Sequence, residues 1–113
     1  MNVVQIKTAL ELDLVAGETH LDAEVKGGYA SDLLSCVMAG ARAGNVWVTL
    51  QAHPNVIAVA ELLDLACVII TEGVQPDDET LRRANEKNIP TLLTSKGTFT
   101  VVSQLVELGI EGN

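Results

Sequence analysis

Val3, Ile6 and Leu10 recur at the spacing of one helical face, so residues 2–10 predict a short amphipathic helix. Leu12 to Ala16 alternates as a strand does, and Gly17 ends it. Residues 24–30 read as a second extended segment containing the pair Gly27-Gly28. Ser31 is a suitable N-cap for a helix whose buried face would be Leu33, Leu34, Val37, Met38 and Ala41, with Gly40 and Gly44 at its end. Val46 to Leu50 is a strong strand. His53-Pro54-Asn55 starts the next helix, with proline suited to its first turn. Ala66 to Ile70 is continuously apolar, as a central strand covered on both faces must be. Asp77, Asp78 and Glu79 place negative charge at the positive end of a helix that Asn88-Ile89-Pro90 terminates. Thr91 to Thr94 is a last strand and residues 98–108 a last helix.

The second half therefore repeats strand and helix three times, which predicts parallel strands with helices on the sheet faces. The first half adds two strands joined by a short loop. The expected fold is a single α/β domain spanning residues 1–113, three-layered (α/β/α), with a mostly parallel or mixed central sheet.

Two helices carry more apolar surface than one sheet face requires. Within residues 55–65 only Glu61 and Asp64 are charged, and residues 98–108 carry Phe99, Val101, Val102, Leu105, Val106 and Leu108. A surface helix needs an apolar arc of about 100° or somewhat more. The surplus predicts a homodimer through one or both helices, with Ala58, Leu62 and Val101 facing outward, unless both helices are wedged between neighbours.

The chain has 113 residues, 48% of them apolar, and a formal net charge of -8. That acidity and a single Phe, Trp and Tyr argue against nucleic-acid binding, and the charge also disfavours anionic membranes. No apolar run approaches the ~20 residues of a membrane span, and residues 1–5 lack the character of a signal peptide; the expectation is a cytoplasmic protein. Cys36 and Cys67 read as two buried free thiols, and with His20 and His53 they show no metal-ligand spacing, so no metal and no cofactor is expected.

Enzymatic signatures are absent. Ser95-Lys96-Gly97-Thr98 has Lys before Gly and no earlier Gly at phosphate-loop spacing; Gly27-Gly28 is not a dinucleotide fingerprint; neither histidine has a nucleophile in a familiar arrangement. The turns after the last three strands remain, at the edge where open α/β sheets bind ligands. They supply the candidate ligand residues His53, Asn55, Thr71, Glu72 and Ser95. His53, Asn55 and Ser95 also suit helix capping, and Gly73 a positive φ. Asp32 suits the first turn of its helix. Glu72 has no such local explanation. Gly27-Gly28 lets another backbone approach closely, either a ligand or a neighbouring strand.

Three segments carry a family resemblance. Gly27-Gly28-Tyr29-Ala30-Ser31-Asp32-Leu33-Leu34-Ser35, Trp47 to Asn55, and Ile69-Ile70-Thr71-Glu72-Gly73 followed by Pro76-Asp77 resemble DRTGG-domain proteins over roughly residues 2–109. The name-giving Asp-Arg-Thr-Gly-Gly is not present; only Gly27-Gly28 matches it. The resemblance implies the fold of the N-terminal domain of HPr kinase/phosphorylase without a kinase phosphate loop. It also implies the accessory role that such domains have between CBS domains of regulated pyrophosphatases, where they contribute to dimerisation. Stand-alone versions near iron–iron hydrogenase and histidine-kinase-like genes point to an adaptor as the other role. The expected function is thus a non-catalytic homodimeric regulatory domain, with an anionic or nucleotide-like small molecule or a protein as partner; the remaining alternative is an enzyme whose site is built across the dimer interface from His53, Glu72 and a partner residue. Because nothing in the sequence can cradle β- and γ-phosphates, the purified chain should transfer no phosphate from ATP to any protein; incorporation of labelled phosphate above background would refute this.

Overall fold

The computed structural model describes residues Met1–Asn113. Asn2 opens α1 (Val3–Leu10) with a reciprocal cap: its side chain accepts from the Gln5 N–H while the Gln5 side chain accepts from its own. β1 (Asp13–Ala16) and a short 3-10 turn (Glu18–His20) lead to β2 (Gly27–Ala30). From there strands and helices alternate: α2 (Leu34–Gly40), β3 (Asn45–Thr49), α3 (Pro54–Leu62), β4 (Cys67–Ile70), α4 (Asp78–Glu86), β5 (Thr91–Leu93) and α5 (Thr98–Glu107).

The five strands form one sheet in the order β1-β5-β4-β3-β2. β2 to β5 are parallel neighbours in chain order, and β1 pairs antiparallel with β5 through an irregular register. The mixed sheet and the three layers match the expectation. The two extra strands, however, lie at opposite edges of the sheet, and residues 17–26 cross the whole of it between them. Of the extended segment 24–30, only Gly27–Ala30 joins the sheet proper, while Glu24 makes an isolated bridge to Asn2.

Side chains alternate cleanly between two cores. Trp47, Val68, Ile70 and Leu93 point to the layer of α2, α3 and α4; Val46, Val48, Cys67, Ile69 and Leu92 point to α1 and α5. β4 is buried on both sides over its full length.

Several local expectations change. Ser31 does not cap α2: its hydroxyl accepts from the Leu33 N–H in a tight turn two residues earlier, and Leu33 takes the cap position with no side-chain bond. Asp32 lies outside the helix, and its carboxylate accepts from the Thr49 hydroxyl and the Leu50 N–H across the sheet end. Of the face assigned to α2 only Val37 is buried; Leu33 and Met38 are exposed because α2 covers an edge strand. Cys36 is exposed for the same reason, whereas burial of Cys67 pushes its thiol up to about 12 and leaves it unreactive. The apolar surplus of α3 is largely absorbed, since the helix is wedged between α2 and α4. Val101 is completely buried rather than outward-facing, while Ala58 and Leu62 do face outward.

Gly17 closes the turn after β1 at φ 75°, and a Cβ there would overlap the Ile89 carbonyl. Gly73 has the same φ of 75° but open space around it. Gly73→Ala should therefore cost about 1 kcal/mol, from the backbone conformation alone. Gly17→Ala adds a collision and should cost roughly twice that or more, by urea unfolding; equal midpoints would show that the contact is soft.

Candidate functional site

β3, β4 and β5 run parallel, so the turns that follow them come out at one edge of the sheet, as do the starts of α3, α4 and α5. The structure thereby brings His53, Asn55, Thr71, Glu72 and Ser95 to that edge. It does not bring Gly27 and Gly28 there: they pair with Asn45 and Val46 at the opposite end of β3.

Each helix start at the edge is closed by a side chain of the chain itself. His53 Nδ1 accepts from the Asn55 N–H at 3.1 Å and caps α3, with Pro54 in the first turn. Asp77 caps α4, accepting from the Thr80 N–H at 2.8 Å, with the Thr80 hydroxyl also at 2.8 Å. That hydroxyl reaches the Ala52 carbonyl at 2.8 Å and ties α4 to the turn after β3. The two Thr80 hydrogen bonds, and the nearby His53, hold the Asp77 carboxyl below the usual aspartate range.

Glu72 caps α5 from 26 residues away, its Oε2 accepting from the Thr98 N–H at 2.8 Å. The residue sits at φ 64°, a conformation that L side chains rarely adopt. It is fixed there by its own N–H, which donates to the Lys96 carbonyl, and by the Gly73 N–H, which donates to that of Thr94. Beneath it the buried Thr71 hydroxyl meets the Thr98 hydroxyl at 2.6 Å. The carboxylate that local rules left unexplained thus occupies the helix N-terminus where an anion would otherwise sit. Lys96 turns away from the edge, donating to the Leu10 carbonyl at 2.8 Å and to Gln104 Oε1 at 3.3 Å. Ser95 and Asn55 are exposed.

The glycine pair meets a backbone of this chain. The Gly28 N–H donates to the Glu111 carbonyl at 2.9 Å, and Gly28 bridges Gly112 in parallel. A Cβ on Gly27 would press on the Asn45 side chain and the Glu111 carbonyl. Asn113 locks this tail, donating to the Gly40 carbonyl and to Asn45 Oδ1. Nothing in the pattern of residues 109–113 signals that pairing.

A cleft of about 570 Å³ lies away from the edge, beside β2, between the end of α2, the tail and the Val102–Val106 flank of α5. No three His, Cys, Asp or Glu side chains come together as a metal cluster, and no helix is long and apolar enough to cross a membrane.

The sequence model of the DRTGG domain matches residues 29–108. No curated protein sequence matches the chain. Among solved structures, the fold is similar to the CBS and DRTGG domains of the regulatory region of Clostridium perfringens pyrophosphatase, a structure complexed with its activator diadenosine tetraphosphate. The TM-score is 0.77 at 17% identity, over 93% of this chain and 46% of that one.

Asp77 supplies a pH test. Its lowered carboxyl stabilises the fold fully above the ordinary aspartate value of about 4, and that contribution is lost as the pH falls through the lower folded-state value. Asp77→Asn keeps a capping oxygen but cannot titrate. The stability difference between wild type and this variant should stay flat from pH 7 to about 5 and shrink below about 4; a constant difference down to pH 2 would contradict the assignment.

Proposed function

The chain belongs to the DRTGG domain family, and from that premise we propose that it is a non-catalytic regulatory module that binds a small anionic or nucleotide-like ligand and works as a homodimer. The observation that carries this reading is the fold shared along nearly the whole chain with a regulatory region whose activator is a dinucleotide. The chain spans less than half of that relative, so the activator's place on this chain is part of the proposal.

The ligand edge in this reading is the carboxyl end of β3, β4 and β5. His53, Asn55 and Ser95 offer exposed polar side chains there, and Thr71 and Glu72 fix the turn between them. An acidic chain disfavours a bare phosphate at such an edge, and a nucleotide compensates with stacking and hydrogen bonding from its base and sugar. Catalysis is not expected from these groups, because His53, Glu72 and Asp77 are each committed to a helix N-terminus.

Thermal unfolding in the presence of ATP, ADP, AMP and diadenosine tetraphosphate tests the reading. Ligand at about 100 times Kd stabilises by about 2.7 kcal/mol, which in a domain of this size raises Tm by roughly 10 °C or more. The double variant His53→Ala, Asn55→Ala should lose most of that shift. A second reading, a protein–protein adaptor, is favoured by the exposed Leu33, Met38, Phe99 and Val106. It takes over if none of these nucleotides moves Tm while the chain still self-associates.

A further inference from the structure

Crossovers between parallel strands are right-handed. With β2, β3, β4 and β5 laid down in order, α2, α3 and α4 must all fall on one face, and they do. The other face is left to α1 and α5. Helices pack about 10 Å apart and strands about 4.8 Å, so two helices span less than five strands do. α5 lies over β3 and against α1. β2 is therefore the strand left bare on this face, and the cleft beside it is the gap that remains after the tail has filled part of it.

The cleft itself carries one charge of each sign, Arg42 and Glu111. Segments 27–41 and 97–106 contain one charged residue, Asp32, in a chain that has 22. Asp32 is turned to the sheet end, where Thr49 and Leu50 engage it. α5 presents an apolar stripe here: Phe99 is 88% exposed and Val106 61% exposed, with Val102 between them on the cleft wall. Their spacing of three and four residues is that of a seam between two helices.

We propose that this face is closed by a second copy of the same chain, the two α5 helices packing antiparallel across a two-fold axis between Val102 and Ser103, so that Phe99 of each copy enters the cleft of the other. This deepens the homodimer of the proposed function and rests on it for the existence of self-association. The spacing along the helix sets the register. Phe99 and Val106 are seven residues apart, about 10 Å along the axis. An antiparallel pair centred at that point sets Phe99 level with the partner's Val106, on the cleft wall. A second copy is the occupant that the charge favours: on a chain of formal charge -8 this face is close to neutral, Arg42 offsetting Glu111, so two copies repel least here.

The competing surface is α3, where Leu62 is 68% exposed beside Glu61 and Asp64. Light scattering at micromolar concentration on the full chain separates the two. Wild type should have twice the 12.0 kDa mass of one chain. Phe99→Glu and Val106→Glu should weaken association by roughly 30-fold or more with unchanged circular dichroism and unfolding midpoint in the monomer, because both side chains are already in solvent. Leu62→Glu should remain dimeric. Ser103→Cys in a Cys36→Ser background should form an inter-chain disulfide on mild oxidation. If Leu62→Glu gives monomers and Phe99→Glu does not, the dimer stands and this interface is wrong. A wild-type mass near 12.0 kDa overturns the interface and the homodimer together, leaving nucleotide binding to be judged by its own thermal shifts.

Discussion

The order in which the parallel strands are laid down governs this molecule. Adding β2, β3, β4 and β5 in one direction stacks every crossover helix on the same side. A parallel sheet needs cover on both faces, so the second layer has to come from outside the crossovers. The chain meets that need with α1 before the sheet begins and α5 after it ends, and the first strand is inserted antiparallel at the far edge to bring α1 into place. The tail is the last piece of the same solution: beyond α5, Ile110 joins the core and Gly112 bridges Gly28. The pairing favours glycines at 27 and 28, because a Cβ at either would press on the tail, at the Glu111 carbonyl and the Ile110 side chain.

How much of this could be read from the sequence depends on how far apart the interacting residues are. β4 was legible because burial on both faces forces Cys67 to Ile70 to be apolar, and α3 and α4 because His53, Pro54 and Asp77 act within three residues of themselves. The α5 cap was not, since Glu72 reaches Thr98 only after the sheet has set β4 beside β5. α2 failed in a different way. Its apolar residues follow helical spacing, but the strand beneath it is an edge, so Leu33, Cys36 and Met38 have nothing to cover them. The outward assignment of Val101 failed because composition gives the width of an apolar arc and not its direction; the seating of α5 on β3 turns Val101 and Leu105 inward and Phe99 and Val106 out. The candidate edge was legible as a set of turns, since parallel strands put their carboxyl ends together whatever the side chains are. Its internal wiring was not.

That wiring bears on how the edge can work. Three helices start within it, each leaving backbone N–H groups that need acceptors, and the chain supplies His53, Asp77 and Glu72. These residues hold the fold as well as shape the surface, so replacing Glu72 alters the start of α5 together with any binding. Asn55 and Ser95 are the exposed candidates whose side chains are not spent on a helix end. The positive φ of Glu72 belongs to the same geometry: the turn needs a left-handed residue, and a carboxylate there reaches the Thr98 N–H at the start of α5, where Gly97 has no side chain to offer as a cap.

The segment 31–33 belongs to both regions of interest. It leaves β2, the strand at the bare edge, and is bolted to the carboxyl edge by three bonds: the Ser31 carbonyl accepts from Trp47 Nε1 at 2.9 Å, and Asp32 takes the Thr49 hydroxyl and the Leu50 N–H. Leu50 and Gln51 lead directly into the turn that carries His53. A shift of that turn would be met first at Asp32, and Asp32 is followed by Leu33 and α2, which forms one wall of the cleft. Between the turn that carries His53 and the β2 face there is therefore one short loop, held by the Ser31 carbonyl and the Asp32 carboxylate. That contiguity is provided by the parallel order of the strands, which puts the end of β2 beside the end of β3.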